Sequence, residues 1–130
     1  MDTYLTTLGW WNLIGSIFMI SLLNPAFGKK VFNDWTRIFK TEYEPGYWGR
    51  FWLAWVIGLN IFFALINIFS VYWGYEEIKK FCIICDLAAY IMFMGLTIWG
   101  VKAGRCGSGI YSVFVIFGIW IGWGIVALIG

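Results

Sequence analysis

Histidine is absent from the 130-residue chain. That removes a His axial ligand for haem, a His acid–base catalyst and the usual side-chain ligand for a chlorophyll magnesium, so no intrinsic cofactor is expected. Charge is scarce, at 12% of residues against about a quarter in an ordinary soluble domain. A net charge of +2 gives no sign of a nucleic-acid partner. Cysteines number three, and two thiolates with one nearby carboxylate form an incomplete tetrahedral set, so no metal site is expected within the chain. The start "MDTYLTTLGWW" has Asp2 where a secretory leader carries Lys or Arg, so the first helix is expected to be permanent. No paired acid and base or matched broken helices mark the chain as a stand-alone pump or carrier.

What remains is apolar, 62% of the chain. Four runs carry it, at 6–23, 51–75, 81–101 and 110–129. Each reaches or approaches the ~20 residues that cross a hydrocarbon core, and a backbone in lipid must satisfy its own hydrogen bonds, so the runs should be helices. The expected fold is all-α: one polytopic membrane domain over 1–130, with four transmembrane helices up and down. Between the first two runs, "NPAFG" breaks the helix and "KKVFNDWTRIFK" follows. Val31, Phe32, Trp35, Ile38 and Phe39 fall at helical spacing, with Lys29, Lys30, Arg37 and Lys40 mostly opposite. This pattern predicts an amphipathic helix lying on the membrane surface against anionic headgroups, before "EYEPGYWGR" turns the chain into the second span.

Seven of the nine basic residues, Lys29, Lys30, Arg37, Lys40, Arg50, Lys102 and Arg105, fall in loops one and three; Lys79 and Lys80 fall in the second. The positive-inside rule places loops one and three in the cytoplasm and both termini outside, in a membrane expected to be the bacterial inner membrane. Tryptophans suit the headgroup layer: Trp10, Trp11 and Trp73 are expected near the outer helix ends, and Trp48, Trp52 and Trp99 near the inner ends.

Within the spans, Asn12 and Ser16 share one face of the first helix, and Asn60 and Asn67 one face of the second. Amides are costly in lipid, so these faces should turn toward other helices or line a polar path. Gly118 and Gly122 form G-x-x-x-G, which permits close approach within the bundle or to another subunit.

"KKFCIICDLAAYIMF" sets Cys82 and Cys85 at C-x-x-C spacing in what reads as the first turn of the third helix, with Asp86 following. Cysteine also packs as a small hydrophobe, so structural and redox readings both stand. In the redox reading Cys82 is the nucleophile and Asp86 a proton relay. The stretch resembles the redox helix of the vitamin K epoxide reductase family, which implies a dithiol facing a quinone. That family passes its disulfide on through a second cysteine pair in an extramembrane loop. This chain has only Cys106 besides, in the opposite loop, and its large first loop lies on the wrong side, so membership is not implied.

The chain therefore reads more as a small accessory subunit that supports a larger membrane complex than as an enzyme, with the bilayer and other membrane subunits as partners and contact with lipid or quinone left open. A membrane thiol–disulfide oxidoreductase and a small oligomeric channel are the alternatives.

Overall fold

A computed structural model describes residues 1–40 and 46–130. Among these the chain is helical, with no strand. Helix α1 spans Asp2–Ser21, with Asp2 in its first turn, where the helix dipole favours a negative charge. The Asn24 side chain accepts the Ala26 N–H at 3.0 Å and caps α2, Pro25–Lys29, whose first position is Pro25, a residue with no N–H to lose there. A π-helical turn, Lys30–Trp35, continues it. α3 spans Tyr47–Trp73 and stops at Gly74, which takes φ 73° and donates its N–H to the Ser70 carbonyl. Only glycine enters that left-handed region without strain. α4 spans Glu76–Lys102, and α5 spans Ile110–Ile129.

Three helices, α3, α4 and α5, are long and apolar enough to cross a membrane. α1 counts as a fourth only together with Pro25–Trp35, from which it is bent by 115°. The reason is compositional, since α1 carries Thr3, Thr6, Thr7, Asn12 and Ser16 among its apolar residues. It also begins earlier than its apolar run, so Trp10 and Trp11 lie near the middle of the helix and not at its outer end.

α1 lies most extensively against α3, and α4 against α5; the two pairs meet over smaller areas. The ends alternate, as an up-and-down bundle requires. At one end, which also carries the Gly74–Tyr75 turn, Lys79 Nζ meets Asp2 Oδ1 at 2.7 Å. At the other end the first and third loops are clasped together. Lys40 N–H donates to the Arg105 carbonyl at 3.0 Å, Gly107 N–H to Ile38 at 2.7 Å, and Gly109 N–H to Arg37 at 3.0 Å. A Cβ at Gly107 or Gly109 would run into the carbonyl oxygens of Arg37 and Thr36.

This clasp corrects the expected amphipathic helix. Helical structure stops at Trp35, where Thr36 bonds back to the Val31 carbonyl through both its N–H and its hydroxyl. Arg37 takes φ 50°, and Phe39 and Lys40 run extended beside Cys106 and Arg105. Lys29, Lys30, Phe32 and Trp35 are helical; Arg37, Phe39 and Lys40 are not. Their backbone groups find partners in the third loop, which a pattern of side chains does not reveal. Of the turn "EYEPGYWGR", residues 42–45 lie outside the described residues.

The distribution of side chains is inverted relative to a water-soluble bundle. Phe62, Ile91, Val115, Ile119 and Val126 are exposed, whereas Asn12, Ser16, Asn67, Ser70, Lys79 and Asp86 are buried. The apolar core that does exist centres on Tyr4, Leu5, Leu8, Ile83 and Trp120.

Candidate functional site

The buried polar residues form one seam. Helical spacing builds it: Asn12 and Ser16 are four apart on α1; Asn60, Asn67 and Ser70 follow one face of α3; Lys79, Cys82, Asp86 and Tyr90 recur every three or four residues on α4. Positions three and four apart share a helix face, so packing three such faces together brings the polar groups into line.

From the Lys79–Asp2 ion pair the seam runs inward in steps. Cys82 lies against Ser70, whose hydroxyl donates to the Asn67 carbonyl at 2.7 Å. The Asn67 side-chain amide donates to both oxygens of Asp86, at 3.1 and 2.9 Å. One turn further, the Tyr90 hydroxyl donates to Asn12 Oδ1 at 3.0 Å. The Asn60 amide donates to Ser16 Oγ at 2.8 Å and more weakly to the Asn12 backbone carbonyl at 3.4 Å. Ser16 in turn donates to that same carbonyl at 2.7 Å. An amide or carboxyl group buried without such partners costs several kcal/mol in an apolar medium, in the range of ~2–7 kcal/mol for a neutral group.

The structure thus brings Asn12, Ser16, Asn60, Asn67 and Asp86 together, and adds Tyr90, Ser70 and Lys79, which the sequence reading passed over. Spacing offered a signal for Tyr90: it stands four residues after Asp86, as Asp86 stands four after Cys82. Cys82, Cys85 and Asp86 do not lie at the start of their helix, where the sequence suggested them. α4 begins at Glu76, so Cys82 falls in its second turn and Cys85 in its third, beyond the unsatisfied N–H groups of the first turn. Cys82 is buried and Cys85 half-buried, and both are free, as is Cys106. Cys106 sits in the clasp at the opposite end.

The two glycines of G-x-x-x-G do not pack within the chain. A Cβ at Gly118 or Gly122 would meet nothing within 4 Å. The close-approach glycines are others. A Cβ at Gly9 would lie 2.7 Å from Ile68 Cγ1 and 3.0 Å from the Ala64 carbonyl oxygen, and one at Gly124 would lie 2.8 Å from Leu87 Cδ2 and 2.9 Å from the Tyr4 hydroxyl.

Two cavities adjoin these features. One of about 360 Å³ opens between α3 and α4 at mid-height, with Asn12, Asn60, Asp86 and Tyr90 as its polar wall. A wider one, about 610 Å³, lies beneath the clasp among Phe32, Phe39, Arg105, Cys106 and Phe117. Among the described residues no three Cys, Asp or Glu side chains gather closely enough to hold a metal ion. No family model matches the chain, and neither does any curated protein or solved structure.

Proposed function

We propose that this chain is a small non-catalytic integral membrane subunit that supports or assembles a larger membrane complex. The observation that carries the proposal is the inverted side-chain distribution: large apolar residues face outward, while the buried polar groups bond chiefly to one another across helices. Polar groups used in this way hold helices in register. The loop end would face the cytoplasm of a bacterial cell, with its seven basic residues toward anionic headgroups. Lys29 and Lys30, with Phe32 and Trp35, would rest at that surface. An energy-converting or electron-transfer assembly is the host favoured by analogy.

Gly118 and Gly122, open on α5 beside exposed Val115 and Ile119, suit close contact with a second subunit. The alternatives draw less support. A dithiol oxidoreductase needs a reachable Cys82, which is buried. A channel needs Asn60 and Asn67 on a path, and their amides are engaged with Ser16 and Asp86.

The test is purification from native membranes in mild detergent. Partners at fixed stoichiometry are expected, and Gly118→Leu should strip them while the chain itself stays folded. Recovery of the chain alone, or only as copies of itself, would defeat the proposal.

A further inference from the structure

The 360 Å³ cavity between α1, α3 and α4 has no part in a purely supporting role. We propose that it binds the ring of a prenyl-tailed quinone or its quinol, entering sideways from the hydrocarbon. Its volume lies within the ~300–1,000 Å³ of small-molecule sites. It sits halfway along α3 and α4, and its mouth is flanked by Val56, Leu59 and Met92, each about half exposed. A molecule arriving there comes from the apolar phase and not from water.

The lining selects the head. Among the described residues no Lys or Arg borders the cavity, so a phosphate or carboxylate head would be buried beside Asp86 without a cation, which is prohibitive. A bare acyl chain or an apolar partner side chain fares little better, because the wall holds unspent polar atoms. Asn60 gives its amide hydrogens to Ser16 and the Asn12 carbonyl, which leaves its Oδ1 without a donor. Asn12 accepts from Tyr90 through Oδ1, which leaves its own amide hydrogens without an acceptor. Each Asp86 oxygen accepts from Asn67 and keeps a second lone pair. None of these atoms is both fully buried and without a partner; among the described residues that condition holds only for the Tyr4 hydroxyl.

A wall that offers both a donor and acceptors matches a ring whose oxygens accept when oxidised and donate when reduced. Phe63 and Phe93 supply aromatic surface on either side. The assignment concerns binding of both forms and is independent of any partner subunit.

The experiment uses the full chain in nanodiscs, titrated with a decyl-tailed benzoquinone and, separately, its quinol, with decanol as competitor. Saturable binding of both forms at one site per chain is expected, with no displacement by equal decanol. Ala89→Phe, inside the cavity, and Leu59→Trp, at its exposed mouth, should each abolish it, so that one variant suffices if the other misfolds. Asn60→Leu should weaken binding roughly tenfold, the worth of one hydrogen bond to a buried group. Undiminished binding in both filled variants would overturn the assignment, and so would displacement by decanol. A photoreactive residue at position 59 that captures a partner polypeptide in native membranes, and no quinone, would overturn it too.

Discussion

The two halves of the bundle are held by different means. α1 and α3 meet through small and polar residues: Gly9 against Ala64 and Ile68, and Asn12 and Ser16 against Asn60. α4 and α5 meet through bulk. Tyr90 and Phe93 stand edge-on and tilted to Phe117, with ring centroids 5.5 and 6.2 Å apart, and Leu87 fills the space at Gly124. In an apolar solvent, burial of one hydrocarbon surface against another brings no hydrophobic gain, so association rests on fit and hydrogen bonds. The amides then fix which residue meets which, because a shift by one position leaves each without a partner. Rings fill space and tolerate small slips. The first pair is built for register and the second for volume.

The sharpest way to break that contrast is Gly9→Leu. A side chain there strikes the Ala64 backbone, which cannot swing away as a flexible tip can. We expect a loss of about 3 kcal/mol or more, at the upper end of overpacking costs, read as denaturant-induced unfolding in mixed micelles. An unfolding midpoint equal to that of the unsubstituted chain would show that α1 and α3 are not closely apposed.

A smaller effect is expected where the halves join. Asn67→Leu leaves the Asp86 carboxyl group without its amide, and a buried group stripped of its partner costs about 1–3 kcal/mol. Asn67→Leu with Asp86→Leu should recover much of this, because no orphan remains. If the double variant lost the sum of the two single losses, the residues would not be coupled.

The least expensive change should be Phe117→Leu in the aromatic pair, at roughly 1 kcal/mol for the lost ring contacts. A loss as large as that of Gly9→Leu would erase the distinction between register and volume.

The four apolar runs, their order and the polar faces of the first two helices were legible because a run of ~20 apolar residues is costly to leave in water and an unpaired amide is costly to leave in an apolar surrounding. The partners of those amides were not. That Asn67 meets Asp86 and Asn12 meets Tyr90 depends on which helices adjoin and at what height. Helix starts were misplaced for a local reason: Glu76–Lys80 and Asp2–Leu5 are helical turns outside or at the edge of the apolar runs. In the first loop the apolar spacing was real over Val31–Trp35, but backbone pairing of residues 37–40 with the third loop overrode it beyond. The G-x-x-x-G motif was visible yet pointed away from the chain's own core, while Gly9 and Gly124 carry no motif.

If the helices enter a bilayer as proposed, the Asn67–Asp86 contact also bears on the order in which they are released into it. Ser16 and Asn60 find each other within α1 and α3, so a nascent chain that has made only these can already settle them, whereas the Asn12 side chain meets its partner, Tyr90, only on α4. Asn67 cannot be settled until α4 arrives, and Asp86 has no amide without α3. The two residues are 19 apart along the chain, joined through the tight turn at Gly74. A translocation machinery that released α3 into lipid alone would strand an amide and then an acid. One that holds both helices and lets the hairpin out as a unit strands neither.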